Sequence, residues 1–243
     1  MLAGDGTPVL MHDSFFGRTI AGSGRVADFS ADQLAEMDAG NWFGTAYRGE
    51  GVPTLQQALA FCLTEHIWPN IEIKQGDGCA WQTGYAVAKV VQSFFASGPS
   101  MPVGGADAAM LPLLSSFSLE ALRGAQQAAP EIARGFLVDR VPPDWERKLG
   151  ECAGIALHVG QRGLTKDQVG TIREAGYAVF CYTVNDPLRA AELLAWGIDA
   201  LCTDKIDTIG ADYAAALPLP RIIAASVAQD RGVPCDGVGH TGF

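Results

Sequence analysis

Short runs of apolar and β-branched residues alternate with helical stretches along most of this 243-residue chain. Several of the short runs are apolar at consecutive positions, which is typical of strands buried on both faces of a parallel sheet. Alternating strands and helices within one domain predict a parallel α/β sheet or a TIM-type (β/α)₈ barrel. The predicted strands are Pro8–His12, Ile71–Lys74, Pro112–Phe117, Gly135–Asp139, Ile155–Val159, Ala178–Val184 and Ala200–Thr203.

Helical patterns separate these runs. Ser30 begins one predicted helix, because Gln33 three residues later completes a capping box. Thr54 begins another, with an apolar stripe on one face. Further helices are predicted at Trp81–Phe95, Ser118–Ala129, Thr165–Ala175 and Asp186–Trp196, with a short one at Ala214–Ala225.

The number of strands falls short of a closed barrel. Six strands follow from Ile71 onward, whereas a (β/α)₈ barrel needs eight. The first run follows Gly4-Asp5-Gly6, a turn signal that leaves only Met1 to Ala3 as an incoming arm. We therefore expect a barrel that lacks its first two strands and first helix, truncated at the N-terminus by about one strand–helix–strand unit.

The barrel is expected to occupy residues 1–210. After Asp207 the alternation fades, and the chain ends in a glycine-rich stretch, Gly232–Phe243. Residues 211–243 are therefore predicted to form a C-terminal extension that includes a loose tail.

The composition of the chain argues against some classes of binding partner. The net charge of −10 argues against nucleic acid or an anionic membrane surface. No apolar run approaches the length of a membrane span, and the N-terminus lacks the features of a signal peptide. Cys181 and Cys202 lie in apolar runs and are predicted to be reduced core residues. The expected compartment is the cytoplasm.

Two charged residues fall on one predicted strand. Glu72 and Lys74 are two residues apart and point the same way, which is costly in a buried strand unless the charges are paired or ligated. One interpretation is an internal ion pair. The other is a carboxylate that binds a hard divalent cation, beside a lysine that holds a phosphate oxygen.

Three further polar residues end predicted strands. His12 closes the first run, and a hairpin could bring it to the rim where barrel enzymes place their catalytic groups. His158 could line the mouth of the barrel or merely cap a strand. Asp204 follows the last strand and suits either the rim or a turn.

Read in order, these segments resemble the glycerophosphodiester phosphodiesterases, most closely their cytosolic bacterial branch linked to glycerol-3-phosphate uptake. The resemblance runs from about Gly4 to Gly210. It is carried by Pro8-Val9-Leu10-Met11-His12-Asp13, Arg18-Thr19, Asp38-Ala39-Gly40-Asn41-Trp42-Phe43, Val52-Pro53-Thr54-Leu55, Asn70-Ile71-Glu72-Ile73-Lys74, Leu113-Leu114-Ser115-Ser116-Phe117, Tyr182-Thr183-Val184-Asn185, Trp196-Gly197-Ile198-Asp199 and Cys202-Thr203-Asp204.

The resemblance implies a (β/α)₈ barrel that hydrolyses glycerophosphodiesters to sn-glycerol 3-phosphate and an alcohol with a divalent cation, Mg²⁺ or Ca²⁺. It implies that His12 is the second of two histidines that act as general acid and base. Glu72 matches a metal carboxylate and Lys74 a lysine that contacts the phosphate, while Arg18 falls on the rim.

The sequence departs from the family at two motifs. A His-Arg pair and a Glu-x-Asp pair of metal ligands are expected before His12, and neither is present. We therefore expect little activity from this chain. A catalytically inactive remnant or binding domain is the alternative, and a barrel phosphodiesterase acting on lipids is a third. Open barrel edges are expected to favour oligomerisation.

Overall fold

The computed structural model describes residues 1–76, 79–97 and 111–216. Within these residues, strands and helices alternate from residue 54 to the end. The strands are β1 (Asn70–Glu72), β2 (Leu113–Ser116), β3 (Arg134–Val138), β4 (Ala156–Gly160), β5 (Ala178–Tyr182) and β6 (Ala200–Leu201). The helices are α1 (Ala31–Ala35), α2 (Leu55–Thr64), α3 (Ala80–Ser97), α4 (Leu119–Ala128), α5 (Trp145–Glu151), α6 (Lys166–Glu174), α7 (Pro187–Trp196) and α8 (Tyr213–Ala216).

The six strands form one parallel sheet in the order β1-β2-β3-β4-β5-β6. Each strand pairs with the next along the chain, so a helix covers every crossover. This sheet curls into part of a TIM-type (β/α)₈ barrel, and the six strands predicted from Ile71 onward are confirmed. Among the described residues, β1 and β6 each pair on one side only.

The two faces of the sheet have different neighbours. Leu157 and Val159 of β4 belong to a core cluster with Val169 and Ile172 of α6, so they face the helices. Because strand residues alternate between faces, His158 points to the inside of the barrel, where its ring packs on Phe180 with centroids 4.5 Å apart. Glu72 and Lys74 share that inner side, because Ile73 packs with the outer helices.

The segment Pro8–His12 is not a strand of this sheet, which corrects the sequence prediction. Met1–Ala3 and Pro8 form a short hairpin around Gly4-Asp5-Gly6, in which the Ala3 amide donates to the Thr7 carbonyl over 2.9 Å. The Leu10 amide donates to the Pro53 carbonyl over 2.9 Å. The backbone of this apolar run therefore pairs with nearby segments. Its buried residue Val9 packs in a separate small core with Leu34 and Val52.

The helices agree with the sequence at their starts. Ser30 and Thr54 both cap helices through complete capping boxes with Gln33 and Gln57. The sequence analysis missed α5, since its seven residues are mostly charged and bury only Trp145 and Leu149. Most of the helix predicted at residues 214–225 lies outside the described residues, as does most of the predicted extension 211–243, so the domain boundary stays a prediction.

The two cysteines that were predicted to be core residues differ in burial. Cys181 is buried and unpaired, as predicted. Cys202 is exposed, so its assignment to the core is wrong; β6 ends one residue earlier, and Cys202 lies at the open rim. None of the described helices is both long enough and apolar enough to cross a lipid bilayer.

Candidate active site at the mouth of the barrel

His12 lies at the carboxyl end of β1, although it comes from outside the sheet. Its Nε2 atom is 3.0 Å from Nζ of Lys74, and its Nδ1 atom is 2.7 Å from Oδ1 of Asp13. An ammonium group can only donate and a carboxylate can only accept. His12 therefore carries its proton on Nδ1 and accepts at Nε2 in this geometry.

Glu72 and Lys74 adopt the pairing that one interpretation predicted. Oε1 of Glu72 is 3.5 Å from Nζ of Lys74, and both side chains are about two-thirds buried. The structure thus brings His12, Lys74 and Glu72 into one contiguous group. The ion pair is formed, and the same two residues line a cavity that could receive a ligand.

This cavity measures about 350 Å³ and opens between the ends of β1 and β2. Most of its lining side chains are polar. They include His12, Ser14, Glu72, Lys74, Gln75 and Ser116. Ser116 is held in place, because its hydroxyl donates to the Ile73 carbonyl over 2.7 Å. A cavity with one ammonium group and several hydroxyl and amide donors suits an anionic group such as a phosphate.

The described residues do not fit a tightly held divalent cation. Mg²⁺ and Ca²⁺ take six or more oxygen ligands, usually including several from protein carboxylates and carbonyls. Glu72 supplies one carboxylate here, and that carboxylate faces the ammonium of Lys74. In the part of the chain that the structure describes, no three His, Cys, Asp or Glu residues are grouped to hold a metal ion.

His158 is not at the mouth, which corrects the sequence prediction. It is the third residue of β4 and is completely buried. Neither ring nitrogen has a hydrogen-bond partner, and burial lowers the pKa of His158 to about 4. The ring lies over Gly135, where a Cβ atom would approach Nε2 to 2.4 Å. His158 is therefore an uncharged part of the barrel interior.

Arg18 and Asp204 are at exposed positions on the rim. Nε of Arg18 donates to Oδ2 of Asp13 over 2.6 Å, so this arginine is two side chains from the cavity. Oδ2 of Asp204 accepts from Nδ2 of Asn185 over 2.9 Å, and the Asp204 amide donates to Oδ1 of the same residue. Asp204 thus joins two loops at the rim and is not part of the His12 group.

Two residues at the rim of the barrel were not singled out from the sequence. Asp13 accepts from both Arg18 and His12, and these bonds hold its pKa at about 2. Its position next to His12 was the available signal. Tyr182 lies at the rim, where its hydroxyl donates to the Val138 carbonyl over 2.9 Å and burial raises its pKa. Its strand pattern alone does not distinguish it from a core residue.

The fold is that of the TIM-type phosphodiesterases, as comparison with solved structures shows. A solved phosphodiesterase from Oleispira antarctica, in complex with the product sn-glycerol-3-phosphate, is similar, with a TM-score of 0.75 and 33% identity. The match covers 84% of this chain and 78% of that one. A glycerophosphodiester phosphodiesterase from Agrobacterium tumefaciens shares the fold, with a TM-score of 0.67 and 23% identity over 88% of this chain and 84% of that one.

The chain belongs to the glycerophosphoryl diester phosphodiesterase family, whose model matches residues 2–208. It is therefore related to hydrolases of phosphodiester bonds. A glycerophosphodiester phosphodiesterase from Caldanaerobacter subterraneus subsp. tengcongensis is 26% identical over 210 residues, covering 86% of this chain and 81% of the relative. One from Bacillus subtilis is 28% identical over 215 residues, covering 84% and 71%.

Proposed function

We propose that the cavity beside His12 binds glycerophosphodiesters and that the chain belongs to a reaction yielding sn-glycerol 3-phosphate and an alcohol. The observation that carries the proposal is the 3.0 Å contact between His12 and Lys74, above the carboxylate of Glu72. The related phosphodiesterase of Oleispira antarctica binds sn-glycerol-3-phosphate, which is the product expected here.

In this reaction Lys74 balances the charge of the phosphate, and His12 transfers the proton. When a phosphate enters, the ammonium of Lys74 turns from His12 to a phosphate oxygen, where its charge is better balanced. This frees Nε2 of His12. Water forms the new bond to phosphorus and releases a proton to solvent as the ester bond to the alcohol breaks. Once protonated from solvent, Nε2 donates a proton to the leaving alkoxide, while Asp13 stabilises the imidazolium at Nδ1. The proposal contains no step through Mg²⁺ or Ca²⁺, because Glu72 alone does not make a cation site.

We further propose that this 243-residue chain turns over substrate at trace rates. A single histidine cannot act as base and acid at the same moment, and a positioned general base contributes about 10²–10⁴-fold. A second such histidine is not among the described residues near Lys74.

The test is release of glycerol 3-phosphate from glycerophosphocholine, followed by a coupled dehydrogenase with and without added Mg²⁺ or Ca²⁺. We expect slow release that His12→Asn abolishes. His66→Asn is the matched control, since His66 is exposed near the end of α2 and has a positive φ that asparagine tolerates. Robust, metal-dependent turnover by the unaltered chain would contradict the proposed trace activity.

A second candidate function is a binding domain without turnover. The lack of a metal-binding group among the described residues favours it. Both candidate functions require binding of sn-glycerol 3-phosphate, which calorimetric titration measures directly. Lys74→Met should weaken this binding, and absence of binding would indicate an unrelated function. Lys148→Met on α5 is the control, because Lys148 pairs with Asp144 away from the cavity. Binding with no turnover above the His12→Asn variant would select the binding domain.

Self-association through the barrel edges is also proposed. Among the described residues β1 has no strand partner on its outer edge, and this edge faces a cleft of about 490 Å³. The cleft is lined largely by apolar side chains of α2 and the segment Pro8–Met11. Unpaired strand edges next to apolar surface favour pairing with another chain. Analytical ultracentrifugation should show oligomers, and a stable monomer at micromolar concentration would count against this.

Cytoplasmic location is proposed from the sequence and is compatible with the unpaired cysteines of the described residues. Cell fractionation tests it. The link to glycerol-3-phosphate uptake stays a prediction, which is tested by asking whether a strain lacking the gene grows more slowly on glycerophosphodiesters as its glycerol source.

A further inference from the structure

We propose that Arg18 and Trp42 are positioning residues that hold His12 in its working tautomer by acting through Asp13. We call Trp42, Arg18, Asp13 and His12 the positioning chain. The inference rests on the proposed role of His12 in proton transfer. It assigns a purpose to an exposed loop that the reaction itself does not use.

The inner end of the positioning chain is the carboxylate of Asp13. Oδ1 accepts from Nδ1 of His12 over 2.7 Å, and Oδ2 accepts from Nε of Arg18 over 2.6 Å. The bond at Oδ1 fixes the proton of His12 on Nδ1. This leaves Nε2 directed at Lys74 and the cavity, which is the atom that must exchange a proton with substrate.

Asp13 needs a second partner to keep this orientation. Its side chain is about one-third exposed, and a carboxylate with one hydrogen bond can rotate and bring either oxygen to His12 or to water. The bond from Arg18 holds the other oxygen, so each oxygen of the carboxylate has a fixed partner. Arg18 thereby acts on His12 without touching it.

Arg18 in turn is supported by an aromatic ring. Its side chain is half exposed, and a long exposed side chain loses entropy when it is held in one geometry. The guanidinium lies 5.4 Å from the centre of the Trp42 ring, within the range of a cation–π contact. The ring restricts Arg18 to the side of the loop that faces Asp13.

Trp42 is held by its own loop. Its ring contacts Phe43 edge-on at 5.7 Å, and Phe43 contacts Tyr47 in the same way at 5.2 Å. The backbone folds tightly at Gly40, where a Cβ atom would come within 2.0 Å of the Tyr47 carbonyl oxygen. These three rings are about half exposed or more, so burial alone does not hold them in place. We infer that their mutual contacts fix the face of Trp42 against Arg18.

The experiment measures the tautomer of His12 directly. Long-range ¹H–¹⁵N spectra of the histidine side chains are recorded on the full chain at alkaline pH, where imidazoles are neutral. His12→Asn identifies the His12 signals. We expect the Nδ1–H form to dominate in the unaltered chain. In Trp42→Ala the ratio of the two tautomers should shift toward Nε2–H by about two- to fivefold, as loss of an exposed cation–π contact implies.

The control variants separate positioning from folding. Arg18→Ala should shift the ratio at least as far, and Trp42→Phe should restore most of it, because a phenyl face still accepts the guanidinium. Arg123→Ala is the matched control, since Arg123 of α4 is equally exposed and forms a similar ion pair with Glu151 of α5. It should leave the His12 signals unchanged.

An unchanged tautomer ratio in Trp42→Ala would overturn the inference, whatever Arg18→Ala does. The measurement needs no turnover, so its failure differs from failure of the proposed function. A chain that shows the tautomer shift but neither binds glycerol 3-phosphate nor releases it would retain the positioning chain and lose the proposed function.

Discussion

Acidification should destabilise this protein through His158 well before its carboxylates protonate. The imidazole is completely buried, neither nitrogen has a partner, and Phe180 packs on the ring with centroids 4.5 Å apart. A protonated ring would place an unpaired charge inside the barrel, which is why burial lowers the pKa of His158 to about 4. In the unfolded chain the same side chain titrates near its ordinary value of 6.5.

The sign and size follow from these two pKa values. Because the folded protein binds the proton more weakly than the unfolded chain, the free energy of unfolding falls as the pH drops from about 7 toward 4. Each pH unit within this window is worth about 1.4 kcal/mol, so acidification from about pH 7.5 to pH 5 removes roughly 2 kcal/mol through this one group. That is a large share of the stability of a typical domain.

The assay is urea unfolding at several pH values, with the unaltered chain compared with His158→Leu. Leucine fills the buried site with an uncharged side chain and has no group that binds a proton. Burial also lowers the pKa of the Met1 amine to about 6, so that group destabilises the fold in the same direction between about pH 8 and pH 6. It is present in both proteins and cancels in the difference between them.

The unaltered chain should lose about 2 kcal/mol more than His158→Leu between these pH values. His158→Gln provides a second non-titrating variant if leucine does not fit. Parallel pH profiles for the unaltered chain and both variants would refute the reasoning, because they would mean that His158 is charged or solvated in the folded protein.

Three further outcomes are expected. Gly135→Ala should lower stability by about 1–3 kcal/mol in thermal unfolding, since its Cβ would meet the His158 ring, and His158→Ala should relieve most of that loss. Arg134→Met should lower stability by at least about 1–3 kcal/mol in the same assay, because the guanidinium donates to the buried carbonyls of Cys152 and Ile132. Millimolar Mg²⁺ should raise the unfolding temperature only marginally, and a clear rise that Glu72→Gln removes would show a better cation site than one carboxylate provides.

Much of the fold follows from residue patterns that are local in sequence. The run Phe136, Leu137 and Val138 is apolar and buried at successive positions because both faces of this barrel strand are covered. Such runs could be identified one at a time. The placement of Glu72 and Lys74 together needed only the two-residue period of a strand. Both inferences concern a few adjacent residues and no long-range contact.

The errors concern quantities that depend on contacts between distant segments. The depth of His158 in the barrel is set by the register of β4 against its neighbours, where it lies beside Leu137 and Phe180. Pro8–His12 has the composition of a strand, yet it pairs with residues near Thr54 and not with the sheet. The link from Arg18 to His12 depends on a loop turning back over five residues. None of these follows from periodicity.

Among the described residues, His12 has a complete set of hydrogen-bond partners, whereas Glu72 has only the ammonium of Lys74. Around His12, every polar contact is made: Asp13 fixes Nδ1, Arg18 fixes Asp13, and Lys74 meets Nε2. Around Glu72, a single carboxylate is balanced by the ammonium of Lys74 at 3.5 Å. An arriving phosphate competes with Glu72 for the ammonium of Lys74. If the ammonium moves to the phosphate, Glu72 loses its counter-charge. Because no second carboxylate is grouped with Glu72 among the described residues, Lys74 must balance both Glu72 and the bound anion.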